Sequence, residues 1–390
     1  MDFNFSNRIH NMGASELGDF LKLSENNNLI SFAGGFPAPE LFPSKGLTEI
    51  TYKVLNEYSS ISLQYGATEG YTPLREITAQ SRMPRVGVEC TTKNILITSG
   101  AQQGLDFSGK LFINNGDTII CESPTYLGAL SAFRAYEPNI LQCPMESDGM
   151  DINILEYLLK KNKNVKFIYT IPDFQNPTGI TMSIEKRKNI AFLASKYKVP
   201  IIEDGPYSEL SFEDFIYPSI KSFDKEGYVI YLGTFSKIFC PGLRIGWVCA
   251  EEDIIKKLIL CKQGADLQPS TFNQLLIYEY LKNYNINSHI NNLRSVYKNR
   301  RDAMLKAIST YLPEYITATH PKGGLFTWIE VSKNYTSKEF YKRALEENVA
   351  FVIGDAFFAF EDDHNHLRAN YSCMNEDQIF QGIKRLRKFL

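Results

Sequence analysis

The sequence predicts an α/β fold followed by a smaller α+β portion, and three observations lead there. As far as Ala250, short apolar runs rich in β-branched residues alternate with helical patterns. Asn94–Thr98, Asp117–Cys121, Val165–Ile171, Pro200–Asp204, Tyr228–Leu232 and Ile245–Ala250 are the strand candidates. From Glu251 the chain turns helical (Asp253–Lys262, Thr271–Lys282, Ile286–Ile308). Strand patterns then return at Gly324–Val331, Val349–Ile353 and His366–Ser372, with a helix at Ser337–Asn348 and a basic helix at the end. The length, 390 residues, suits one large domain and a smaller one.

Composition narrows the class. Hydrophobic residues make up 44% and charged residues 22%, a globular balance. A formal net charge of −2 implies no attraction for nucleic acid or anionic membranes, and no apolar run reaches membrane-spanning length. Cys90, Cys121, Cys143, Cys240, Cys249, Cys261 and Cys373 lack CxxC spacing, and no signal peptide is apparent. Reduced thiols in a cytoplasmic protein are expected. His364 and His366 flank Asp362 and Asp363 without metal-site spacing, so no metal is expected.

Near the N-terminus, Ser15–Leu23 reads as a short amphipathic helix. Ile30–Pro43 holds Gly34, Gly35 and three prolines, which predict irregular backbone able to approach a ligand closely. Leu63–Ile77 reads as a turn into a helix starting near Pro73, and Tyr65 in that turn has the look of a packing tyrosine. After the strand Asn94–Thr98 come Ser99, Gly100, Ala101 and Gln102, a glycine and a helix start. Free first-turn N–H groups and the helix dipole make that junction an anion site. Neither GxxxxGK[ST] nor a GxGxxG after a strand occurs.

The later strands each end in a residue suited to a ligand. Tyr126 follows Pro124 beyond a strand end, where α/β sheets bind ligands, and its ring suits stacking on a pyridine face. Asn176 opens an Asn-Pro-Thr-Gly turn that leaves its amide free to donate, and Ser183 caps the helix Ser183–Lys198. Asp204 ends an apolar strand, a costly place for a carboxylate unless it meets a cation. Tyr207 lies three residues further on.

Lys237 is the centre of the sequence. It follows the strand Tyr228–Leu232 in a loop with Thr234 and Ser236, and Arg244 leads into the next strand. A lone loop lysine is ordinarily exposed. Here, two hydroxyls and a guanidinium surround it with donors suited to a phosphate. A lysine beside a phosphate is what an aldehyde cofactor needs to be held as a Schiff base. The spacing of Thr234, Ser236, Lys237 and Arg244 resembles the pyridoxal phosphate lysine motif of class I/II aminotransferases, and is most similar to the 2-aminoadipate/kynurenine type. The match runs from about Ile30 to Ser372, with the motifs in family order.

The resemblance implies the PLP-transferase fold type I: a large domain with a mostly parallel central sheet (49–280), and a smaller α+β domain from 1–48 with 281–390. It implies pyridoxal 5′-phosphate as cofactor. Gly100, Ala101, Gln102, Thr234, Ser236 and Arg244 would cup the phosphate and Tyr126 would stack on the ring. Asp204 would hold the ring nitrogen, and Asn176 and Tyr207 the phenolic oxygen. Lys237 would form the Schiff base and shuttle protons, with Asp204 and Tyr207 as catalytic partners. Gly35 and Asn176 would border the substrate, and Arg368, in Arg-x-Asn-Tyr-Ser, would grip its α-carboxylate. Tyr65 would reach the phosphate of a second subunit, making a homodimer with shared active sites.

An L-amino acid donor and a 2-oxo acid acceptor such as 2-oxoglutarate are the implied substrates. Some relatives carry an arginine near the N-terminus for an acidic side chain; here Gly18 takes that place, so a broader range, aromatic or aliphatic as well as 2-aminoadipate-like, is expected. A C–S β-lyase or decarboxylase on the same fold is the alternative. A non-catalytic regulator would need a DNA-binding head ahead of Gly34, where the sequence leaves no room.

Overall fold

Strands follow one another in chain order as β1 (Ile30–Ser31), β2 (Ile95–Thr98), β3 (Thr118–Ser123), β4 (Asn139–Glu146), β5 (Gly149–Met150), β6 (Val165–Thr170), β7 (Ile201–Asp204), β8 (Val229–Thr234), β9 (Gly246–Cys249), β10 (Thr317–Ala318), β11 (Phe326–Glu330), β12 (Val349–Ala350), β13 (Val352–Ile353) and β14 (His366–Asn370). The computed structural model describes residues 3–11, 28–331, 336–360 and 365–390. The expected helix Ser15–Leu23, Gly18, and the group Asp362, Asp363 and His364 lie outside the described residues.

The large sheet has eight strands in the order β2-β9-β8-β7-β6-β3-β4-β5. Its middle, from β8 across to β4, is parallel. β2 and β8 run antiparallel to β9, and β4 to β5. The edge strand β2 and its neighbours β9, β8 and β7 are buried along their whole length. Burial on both faces explains their near-continuous Val/Ile/Leu character. In-register pairs such as Ile202 with Ile230 and Asp204 with Leu232 bring the carboxyl ends of β7 and β8 level. Side chains just past those ends therefore share one crevice.

A second, antiparallel sheet runs β10-β11-β14-β13, and β1 pairs with β12 in parallel, Ile30 opposite Val349 and Ser31 opposite Ala350. The helix Ile286–Tyr311, 26 residues and about 39 Å long, packs on the final helix Glu376–Leu386. Arg300 on the long helix donates Nη1 to the Ser372 carbonyl at 2.6 Å.

Most expected elements are present with ends shifted by a few residues. Ser183 caps the helix Ile184–Tyr197 by accepting from the Lys186 N–H at 3.4 Å. Two expectations need correction. The Ile30–Pro43 stretch is not wholly irregular, since it contains β1 and a 3-10 turn at Pro39–Leu41. The single strand Val349–Ile353 is two short strands parted at Phe351, one pairing with β1 and the other with β14. The helix expected to start near Pro73 is present as Thr72–Ile77, and a π-turn at Thr78–Arg82 follows it. The helices Ser44–Glu57 and Ile152–Lys161 and the strand β4 were not anticipated. Among the described residues, no helix is long and apolar enough to cross a membrane.

Candidate active site

A cavity of about 830 Å³ opens at the carboxyl ends of the parallel strands. Its wall brings together Gly35, Ala101, Gln102, Tyr126, Asn176, Asp204, Tyr207, Thr234, Ser236, Lys237, Arg244 and Arg368. Of the sequence-predicted site residues, Gly100 stands behind this wall and Tyr65 is elsewhere. Tyr65 is 77% exposed and borders a separate cleft of about 350 Å³ with Gln64 and Thr271.

Lys237 lies just beyond β8, and its Nζ donates to the Gly35 carbonyl at 2.8 Å. Burial lowers its pKa to about 8, helped by the positive charges of Arg368 and Arg244. Asp204 ends β7. Its Oδ2 accepts from the Tyr169 hydroxyl at 3.0 Å, whereas its buried Oδ1 has no hydrogen-bond partner. Burial pushes the Asp204 carboxyl up to about 7. A buried carboxylate oxygen facing a cavity without a partner is the mark of a site built for a cationic donor. The residues present therefore fit a protonated pyridine nitrogen.

The opposite wall is made by Arg368 in β14. Its Nη1 donates to Asn176 Oδ1 at 3.0 Å and its Nη2 to the Ala33 carbonyl at 2.6 Å. The guanidinium lies 4.3 Å from the Phe326 ring centroid and 5.0 Å from that of Phe357, so cation–π attraction helps to fix it. Because the Asn176 oxygen is taken by Arg368, its nitrogen is the end that donates, and Asn176 bonds the Tyr207 side chain. Burial raises the pKa of both Tyr207 and Tyr126, which keeps them neutral phenols.

At the anion end, the Gly100 N–H is taken by the Thr98 carbonyl at 2.8 Å. The first-turn N–H groups of Ala101 and Gln102 have no intrahelical acceptor. Gly100 contributes by lacking a side chain: at φ +79° a Cβ there would stand 2.5 Å from Arg244 Nη2. Arg244, itself left-handed at φ +54°, makes only long bonds of 3.4 to 3.5 Å to Ser99, Pro241 and Ser236. Thr234 Oγ1 and Ser236 Oγ lie 3.0 Å apart. Two free amides, two hydroxyls and a weakly engaged guanidinium thus converge on one spot, as a phosphate requires.

Several supporting residues escaped the sequence reading. Tyr169, in the middle of β6, gave no signal beyond apolar strand character. Glu122 is fully buried and accepts from the Ile171 N–H at 3.2 Å and Gln175 Nε2 at 3.1 Å, and burial pushes its pKa up to about 7. Arg187 is buried and donates to Asp173 at 2.6 Å and to the carbonyls of Pro172, Met182 and Pro218. Both pin the loop that presents Asn176.

Fold and cavity together define an enzyme of the fold type I class. The model of the family described as "Aminotransferase class I and II" matches residues 36–386. The chain is 45% identical to aromatic-amino-acid aminotransferase 1 of Thermococcus litoralis, over 98% of this chain and 93% of that protein. It is 40% identical to the 2-aminoadipate transaminase of Thermus thermophilus, over 97% and 94%. The crystal structure of Pyrococcus horikoshii kynurenine aminotransferase superposes with a TM-score of 0.93 at 43% identity, covering 98% of this chain and 96% of the other. The chain belongs to the class I and II aminotransferase family. It is an enzyme of amino-group transfer, and its cofactor is pyridoxal 5′-phosphate.

Proposed function

We propose that the protein moves the amino group of a broad range of L-amino acids, aromatic, aliphatic or 2-aminoadipate-like, to a 2-oxo acid such as 2-oxoglutarate. The observation that carries this is the placing of Lys237, its pKa lowered to about 8, in one cavity with the unpartnered Oδ1 of Asp204. Relatives named for aromatic amino acids, kynurenine and 2-aminoadipate support the substrate range.

In this mechanism Ala101, Gln102, Thr234, Ser236 and Arg244 hold the phosphate, and Gly100 leaves room for Arg244. Tyr126 would stack on the ring, while Asn176 and Tyr207 would bond its phenolic oxygen. When bound, pyridoxal phosphate supplies an electron sink for the charge left at the carbon that loses its proton. Asp204 keeps a proton on the ring nitrogen. Arg368 grips the α-carboxylate of the amino acid through parallel N–H bonds and so turns its Cα–H toward Lys237. The Lys237 amine would take that Cα proton and later give a proton up again, acting as base and then acid. Gly35 borders the amino acid beside Lys237.

The exposure of Tyr65 supports a further part of the proposal, a homodimer in which Tyr65 completes the partner's phosphate site. The two separate sheets support a division into a large domain (49–280) and a small one (1–48 with 281–390), and a cytoplasmic location fits the reduced cysteines. The deciding experiment is the absorbance spectrum of the purified protein with bound cofactor, before and after single amino acids. Bleaching of the cofactor band by some of them, with release of the matching 2-oxo acid, is expected. A band that persists with all of them would overturn transamination, and release of pyruvate and ammonia from cysteine conjugates would point to the lyase.

A further inference from the structure

Behind the anion site lies an ion pair that the chemistry above does not use. Lys262, in the helix Glu252–Gln263, has no solvent-accessible surface. Its ammonium donates to Asp266 Oδ1 at 2.9 Å and to Gln103 Oε1 at 2.6 Å. Asp266 Oδ2 accepts from Ser99 Oγ at 2.9 Å and from Gln103 Nε2 at 2.8 Å. The ring closes where the Ser99 N–H donates to Gln103 Oε1 at 2.9 Å. Backbone geometry holds the pair together, since the Lys262 carbonyl accepts from the N–H groups of Ala265, Asp266 and Leu267 at 3.0 to 3.1 Å.

Two physical effects follow at the Ser99–Gln102 turn. The ring takes both donors of Ser99, and Thr98 takes the Gly100 N–H, so the free amides of Ala101 and Gln102 are held in one orientation. The ring also settles a charge conflict. A carboxylate bonded to the turn that receives a phosphate repels that dianion, and because the Asp266 side chain is 31% exposed, water screens part of this repulsion. Lys262 cancels that repulsion from behind, where the phosphate itself does not reach. We propose that Lys262 and Asp266 are positioning residues for the cofactor phosphate, fixing the turn through Asp266 and neutralising that acid through Lys262. This rests on the cofactor assignment above.

The test compares the cofactor-free native protein with Lys262→Met and with Lys262→Met/Asp266→Asn. Each is titrated at equilibrium with pyridoxal phosphate and, separately, with pyridoxal, which lacks the phosphate; the readout is the absorbance of the protein-bound aldehyde. Lys262→Met leaves the partly solvent-screened acid uncompensated, so the dissociation constant for pyridoxal phosphate should rise about fivefold. That for pyridoxal should stay within about twofold, and the double variant should recover most of the loss. Lys262→Gln, which keeps a donor in the ring, carries the same expectation if Lys262→Met does not fold. Unchanged pyridoxal phosphate affinity, equal losses for both aldehydes, or no recovery in the double variant would overturn the proposal. If the native protein took up neither aldehyde, the cofactor assignment itself would fall.

Discussion

Lys237 Nζ lies 2.8 Å from the carbonyl oxygen of Gly35, a residue 202 positions earlier in the chain. The contact is with a neutral acceptor, while the charges pressing on the amine from Arg368 and Arg244 are positive. Asp204 alone acts the other way. The balance leaves an amine that gives up its proton far more readily than an ordinary lysine.

A pH dependence follows. In the cofactor-free protein the Lys237 pKa is lowered from 10.5 to about 8. Below that value the amine is protonated and cannot attack an aldehyde; above it, it can. The rate of pyridoxal capture, trapped by borohydride reduction, should rise with pH and level off above about 8. A rise that continues toward 10.5 would contradict the depressed pKa.

Lys237→Ala should lower turnover by at least about a thousandfold, because both the covalent anchor and the proton carrier are lost. Steady-state release of the 2-oxo acid measures it. Retained turnover would sink the assignment of Lys237.

Arg368→Lys keeps the charge but loses the fork that reaches Asn176 and Ala33 together. The expected outcome is a KM for the amino acid raised about a hundredfold, with kcat changed less. A lowered kcat with KM unchanged would place Arg368 in the reaction step rather than in carboxylate binding.

Gly100→Ala forces a side chain into the left-handed region and against Arg244. Strain of about 1–3 kcal/mol translates into roughly five- to 150-fold weaker pyridoxal phosphate binding. Equilibrium titration of the cofactor-free variant checks it.

Arg187→Met should lower folding stability by about 3–5 kcal/mol, since it strands Asp173 as a buried, unpaired acid. Adding Asp173→Asn should restore part of the loss. Urea denaturation of the single and double variants is the measurement.

The groups that were legible in the sequence carry their meaning in side-chain type and local spacing. Thr234, Ser236, Lys237 and Arg244 stand within eleven positions and meet around one point, and Asp204 drew notice because a carboxylate does not belong at an apolar strand end. The residues that escaped depend on distant register. Tyr169 reaches Asp204 only because β6 and β7 are neighbours. Ala33 acts through its backbone carbonyl, which every residue possesses. Lys262 and Arg187 fall among charged helix positions that look solvent-facing until the packing is known. Tyr65 is exposed and lies at a separate cleft away from the cavity of its own chain.

The pairing of β1 with β12 has a consequence for how the molecule comes into being. Ile30 and Ser31 meet Val349 and Ala350, whereas the eight-stranded sheet is complete by Cys249. A chain emerging from the ribosome can therefore build the Lys237 side of the cavity while residues 30–36 still wait for their counterpart. The wall formed by Ala33, Gly35 and Arg368 can close only after Arg368 has emerged, through contacts of very high sequence separation. A nascent chain halted shortly after Cys249 would carry the lysine without the arginine that orients its substrate.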